Sequence, residues 1–185
     1  VFCRAAFLGL FWLLIPCSSF GAEFSAIVTD VTVSKQNQQY VVSADIDYPL
    51  STEAKLALKN GVPLYWILQI KVLQQRSWVW DKTLQAREIR YRIQYNALLN
   101  MYRVRNEDSG EISNFSSLSA ALGLMSALRD LPVIDESEID PKQPYQIAIK
   151  AAFDRDALPL PLRPIAYTNP QWFLSSDWTL WPLVK

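Results

Sequence analysis

The sequence predicts a mainly β protein: an antiparallel β-sandwich-like domain with two short helices packed on it and an extended, Pro/Trp-rich C-terminal tail. Three observations carry that reading. Apolar and polar residues alternate with period 2 in segment after segment, as half-buried strands require. Residues 63–74 form a long apolar run rich in aromatic and β-branched side chains, which fits a central strand better than a surface helix. The 11 prolines are many and cluster late, where they exclude a central strand or a long helix.

The elements follow in order. Residues 23–34 alternate, with Ile27, Thr29, Val31 and Val33 on one face and Val28, Asp30 and Thr32 on the other. Residues 40–48 alternate again, Val42, Ala44, Ile46 and Tyr48 against Val41, Ser43, Asp45 and Asp47. The polar linker Lys35-Gln36-Asn37-Gln38 joins them into a β-hairpin. After Pro49-Leu50, Ser51 or Thr52 can cap a short helix that places Glu53 in its first turn, faces Leu56 to a sheet and ends at Asn60-Gly61. Residues 63–74 are the central strand, and Trp78-Val79-Trp80-Asp81 an aromatic turn or strand edge.

In residues 86–95 Ile89, Tyr91, Ile93 and Tyr95 form one face, and Glu88, Arg90, Arg92 and Gln94 the other. Residues 101–106 repeat the pattern, with Arg103 and Arg105 opposite Tyr102 and Val104, before a turn at 106–110. Leu118, Ala121, Leu122, Met125 and Leu128 have helical spacing, so a helix is expected over 117–131, stopped by Pro132. Residues 145–153 alternate once more. The tail, 158–185, is expected to lie extended against the body, because Trp172, Phe173, Trp178 and Trp181 are too apolar for a free segment.

The first residues order as a secretory leader: Arg4, an apolar run over 5–15, then Pro16 and a small-residue region. Eleven residues are too few for a bilayer-spanning helix, which takes about 20. The expected organisation is a signal peptide over 1–21 and a single β-rich domain over 22–185, in the periplasm, touching the membrane only where the leader is retained. Both cysteines, Cys3 and Cys17, fall in the leader, and the chain has no histidine. The common nucleophile–base pairs and most zinc sites are therefore missing from the mature chain. No catalytic residue, metal or other cofactor is expected. The 18 basic and 18 acidic residues cancel, so no bulk field draws nucleic acid.

Carboxylate pairs Asp45/Asp47 and Asp154/Asp156 read as solvated faces or turns. The run Asp135, Glu136, Glu138, Asp140 lacks the ligand spacing and Gly of a Ca²⁺ loop and reads as a solvated linker. Two features suit binding. If residues 86–95 and 101–106 pair, Arg90, Arg92, Arg103 and Arg105 share one sheet face, where guanidinium forks suit carboxylates or phosphates. Trp172, Trp178 and Trp181, with Trp78 and Trp80, could form an aromatic platform for a glycan or a partner protein. The competing readings are a sheet face balanced by Glu88, Glu107 and Asp108, and a tail whose aromatics close one end of the sandwich. Asp177 beside Trp178 would then hold the tail by hydrogen bonds.

The order of the pieces 60-NGVPL-64, 78-WVWD-81, 90-RYR-92 with 95-YNAL-98, 128-LRDLPV-133 and 174-LSSDW-178 is similar to the exported bacterial family described as domain of unknown function 4390. The resemblance spans nearly all of the mature chain. It implies no established activity and no catalytic residues. Family members are often encoded near a membrane sensor kinase of the nitrogen-regulation type, which implies a role in envelope signalling. The expected function is a non-enzymatic interaction module whose partner is an envelope protein such as that kinase, with a periplasmic glycan- or anionic-lipid-binding domain as the alternative.

Overall fold

A computed structural model describes residues 24–78 and 80–183. The expected leader over 1–21 lies outside the described residues. Nine strands form two antiparallel sheets. A three-stranded sheet has the order β1 (Ile27–Gln36), β2 (Gln39–Asp47), β7 (Ala127–Asp135). A six-stranded sheet runs β6 (Ile112–Phe115), β5 (Met101–Asn106), β4 (Lys82–Asn96), β3 (Leu64–Gln74), β8 (Tyr145–Phe153), β9 (Thr179–Pro182). The two inner faces meet in one core, as in a sandwich. Three α-helices, α1 (Thr52–Lys59), α2 (Leu118–Ser126) and α3 (Arg163–Thr168), complete it, one more than the two expected.

Turn chemistry sets the hairpins. Asn37 and Gln38 have φ of 48° and 63°, the paired left-handed conformation of a tight two-residue hairpin turn. Asn96 Oδ1 accepts from the backbone N–H groups of Leu98 (3.1 Å) and Leu99 (3.2 Å) at the β4–β5 turn. Asn106 Oδ1 does the same for Asp108 (3.0 Å) and Ser109 (3.2 Å) at the β5–β6 turn. β6 itself is only four residues long, below what an alternation can reveal.

Ser51 Oγ caps α1 by accepting from Ala54 N–H at 3.1 Å. The helix ends where Gly61 takes φ +83° and the N–H groups of Gly61 and Val62 reach back to Leu58 and Ala57 oxygens. Ala54 and Leu58, one helical turn apart, face the core, whereas Leu56 points to solvent. The expectation that Leu56 faces a sheet is corrected.

Two further expectations change at bulges. In β1 the pairing with β2 shifts register between Thr29 and Thr32, with Asp30 at φ 49°. The extra residue turns Val28 and Val31 inward and leaves Ile27 exposed, so the face written for Ile27 is reversed there. The helix expected over 117–131 stops at Ser126, and residues 127–135 continue as strand β7. Pro132 does not end a helix. It sits opposite Val41 on an edge strand, where its missing N–H costs no ladder bond.

β3 is the central strand. Leu64, Trp66, Leu68, Ile70 and Val72 face inward and are buried. Their core neighbours are Ile147, Ile149, Ala151 and Phe153 of β8, Ile93 of β4, and Val42, Ala44 and Ile46 of the smaller sheet. An aromatic column runs through this core. Tyr48 meets Trp66 edge-on at 5.6 Å, Trp66 meets Phe153 at 4.9 Å, and Phe153 stacks on Trp172 at 6.1 Å.

The tail packs on the body but is not wholly extended. It carries α3, with Pro164 in its first turn, a 3₁₀ turn over Pro170–Trp172, and the edge strand β9. Along β8 it satisfies the outer edge in two ways. Thr179–Pro182 pair with Gln146–Ile149 as a strand. Further along, Ser176 Oγ accepts from Ala151 N–H (2.9 Å) and Ser175 Oγ accepts from Phe153 N–H (2.8 Å). The serine hydroxyls thus hold the tail in the place expected of Asp177.

Ser176→Ala would leave a buried N–H without its acceptor. The expected cost is about 1–3 kcal/mol in urea-unfolding stability. Tyr48 Oη is buried with no hydrogen-bond partner among the described residues, and burial raises its pKa well above the ordinary tyrosine value, with Tyr91 adding to the shift. Tyr91 is raised as well, chiefly by burial. The folded state holds both protons more tightly than the unfolded chain. Stability is therefore full below pH about 10 and falls as pH rises above it. Tyr48→Phe should be neutral or stabilising at pH 7 and should soften that alkaline loss, read as thermal midpoint against pH.

Candidate functional site

One face of the large sheet packs on the core, and its other face is open. Antiparallel register assigns the residues of the open face. Tyr65, Ile67, Gln69 and Lys71 of β3 lie opposite Arg92, Arg90, Glu88 and Ala86 of β4. On the other side Ile67, Gln69 and Lys71 lie opposite Ala152, Lys150 and Ala148 of β8. Arg92 is opposite Arg105 and Gln94 opposite Arg103 in β5. The four arginines therefore share one sheet face, as the strand alternation predicts.

Their partners differ. Arg90 makes the best-formed ion pair, Nη2 to Asp154 Oδ2 at 2.6 Å, with its guanidinium 5.1 Å from the centre of the Tyr65 ring. Asp154 also caps the 3₁₀ turn Arg155–Ala157 by accepting from Ala157 N–H at 3.1 Å. Arg92 and Arg105 share the carboxylate of Glu107, at 3.0 and 3.5 Å. Arg103 donates from Nε to Asn114 Oδ1 at 3.1 Å and makes no ion pair among the described residues. Glu88 accepts from Gln69 at 2.7 Å. Asp108, expected to balance the arginines, instead accepts from the Arg90 backbone N–H at 2.8 Å.

The tryptophans divide. Trp178 immediately precedes β9, whose Leu180 lies opposite Ala148 on the open face. Its ring lies under the ammonium of Lys71 at 4.5 Å and near that of Lys150 at 5.8 Å, and it is 39% exposed. Trp178 thus joins the arginines' face. Trp172 does not: it is 3% exposed and forms the end of the aromatic column. Trp181 lies opposite Ile147, an inward residue, and packs partly buried against the core. Of the five tryptophans expected to form one platform, only Trp178 lies on this face: Trp172 and Trp181 pack toward the core, strand alternation sending Trp178 and Trp181 to opposite sides of the sheet, and Trp78 and Trp80 are exposed between β3 and β4.

Trp181 instead lines a cleft of about 360 Å³ with Tyr40, Tyr145, Ile139 and Leu183 at the opposite end of β8 from Phe153. Gln75, Gln143 and Gln146 edge it. The acidic run behaves as a linker: Asp135 accepts from Gln39, Glu136 pairs with Lys35, and Glu138 accepts from Gln85. Asp45 pairs with Arg129, Asp154 with Arg90, and Asp156 accepts from Tyr167. Among the described residues no three potential ligands come together as a metal site.

Lys71, Lys150 and Leu180 were not singled out by the sequence. Only the register between distant strands brings them beside Trp178.

The architecture is a two-sheet antiparallel β-sandwich with one open, cation-rich sheet face. The chain belongs to the family described as Domain of unknown function (DUF4390), whose model matches residues 24–182. No curated protein and no solved structure matches the chain.

Arg103→Ala should change stability by less than about 0.5 kcal/mol, the usual range for exposed surface substitutions. Arg90→Ala should cost about 1–2 kcal/mol, since it strips a charged hydrogen bond from part-buried Asp154. Thermal or urea unfolding of the two variants side by side checks the difference.

Proposed function

We propose that the protein is an exported, non-enzymatic interaction module of the bacterial envelope, and that it binds an envelope protein through the open face of its six-stranded sheet. One observation carries the reading. That face carries Arg103 toward one corner, Lys150 with the half-exposed Trp178 toward another, and Arg90, Arg92 and Arg105 between them, uncovered by any layer of the described residues. An aromatic and arginines on one surface are the residue types that dominate binding energy at protein interfaces. Cations exceed carboxylates there, so the complementary surface is acidic. The absence of histidine and the placing of both cysteines in the leader-like segment support a role without catalysis. The same segment supports export to the periplasm. A membrane sensor kinase is the partner suggested by the family resemblance.

A second reading, a site for glycans or anionic lipid headgroups, is favoured by one detail. Arg103 lacks an ion pair and can offer its fork to a phosphate or carboxylate.

In-cell cross-linking of the native protein, followed by mass spectrometry, tests the first reading. The expected outcome is one dominant envelope protein joined near Lys150 or Lys71, lost in the Arg103→Glu/Lys150→Glu variant while the thermal midpoint is kept. Recovery without any attached protein would overturn it. Salt-sensitive retention on anionic lipid or cell-wall material would then favour the second reading.

A further inference from the structure

The β3–β4 loop, of which residues 75–78 and 80–81 are described, carries the two most exposed tryptophans among the described residues. Trp78 is 97% exposed and Trp80 95%. Neither ring packs on any other aromatic or cation of the described residues. A free indole in water forgoes the burial that normally stabilises it, so two of them at one tip call for an environment outside the chain.

The loop's base is tied down. Gln75 N–H donates to Pro144 O at 3.0 Å, and the Gln75 side chain donates to Gln146 Oε1 at 2.9 Å. Asp81 accepts from Arg76 N–H at 3.3 Å through one oxygen and from Gln146 Nε2 at 2.8 Å through the other. These bonds anchor the base of the loop and leave both indoles exposed.

Below the tip the strand is polar. Lys82, Thr83, Gln85, Arg87 and Glu88 of β4 are exposed. Arg76 and Lys82 flank the tryptophans as a cationic collar, and Asp81 between them is already engaged by the loop's own hydrogen bonds. Exposed indoles, exposed Arg76 and Lys82 two residues away on either side and exposed polar residues further along β4 form a polarity gradient along the chain. That gradient matches the water–lipid boundary, where indoles settle at headgroup depth and cations meet lipid phosphates. A protein groove would instead grip the loop from its sides, and those sides are polar.

We infer that the β3–β4 loop inserts Trp78 and Trp80 into the headgroup region of a phospholipid bilayer, with Arg76 and Lys82 on the lipid phosphates. The penetration is shallow, because the loop's backbone polar groups must stay among hydrated headgroups. The inference uses residues other than Arg103, Lys150 and Trp178 and stands apart from the partner-binding reading.

The test uses the full chain and vesicles of phosphatidylethanolamine and phosphatidylglycerol with brominated acyl chains, which quench nearby indoles. Wild type should show a quenched emission component that is absent in Trp78→Ala/Trp80→Ala and kept in Trp178→Ala. The double variant should unfold at the wild-type temperature, since both rings are exposed. Equal absolute quenching in wild type and the double variant would overturn the inference, whatever else holds the chain to the vesicle. So would protection of Trp78 and Trp80 by a protein cross-linked at this loop with no lipid quenching.

Discussion

The aromatic column Tyr48–Trp66–Phe153–Trp172 is the constraint on which the rest depends. It joins the smaller sheet, the central strand, β8 and the tail in one line of ring contacts. Because Trp66 and Phe153 spend their inward faces on this column, the alternate residues of the same strands must face the other way. That second face carries Tyr65, Ile67, Lys71 and Lys150, and no other layer of the described residues covers it. The open surface is thus a consequence of how the core is closed. A domain of this size must seal one core, and three strands plus a tail can cover only one side of a six-stranded sheet.

The tail has two duties in this arrangement. Its buried Trp172 and Leu174 finish the core, and its serines and β9 complete the hydrogen bonding of β8, which would otherwise be an exposed edge. Having paid out its prolines at the first turn of α3, in a 3₁₀ turn and on the sheet edge, it still delivers Trp178 to the open face. The indole on the open face and the structural clasp come from neighbouring residues of one segment. Loss of the clasp would therefore remove Trp178 from Lys71 and Lys150 as well.

Much of the fold is legible in the sequence where one face of a strand is apolar and the other is not. The span 145–153, the first hairpin, the capped helix before Gly61 and the shared face of Arg90, Arg92, Arg103 and Arg105 all follow from local alternation and turn residues. What escapes is set by partners far along the chain. Asp30 reverses the face of β1 through a bulge that only pairing with β2 reveals. Leu128 has helical spacing with Met125, yet it belongs to a strand because β2 offers it an edge. Trp172, Trp178 and Trp181 look alike in sequence, and only the register with β8 separates core from surface. The same register puts Lys71 and Lys150 at Trp178, a grouping that no local pattern contains.

The inner face of the large sheet is closed, and the partner is proposed to bind its outer face. Hydroxyl-radical footprinting, first of the purified protein and then in native envelopes, tests both statements in one measurement. The account predicts that Trp66 and Trp172 resist oxidation in both samples, whereas Trp178 and Tyr65 react in the purified protein and are protected in the envelope. Equal oxidation of Trp178 and Tyr65 in the two samples, or ready oxidation of Trp66 and Trp172 in the folded protein, would contradict it.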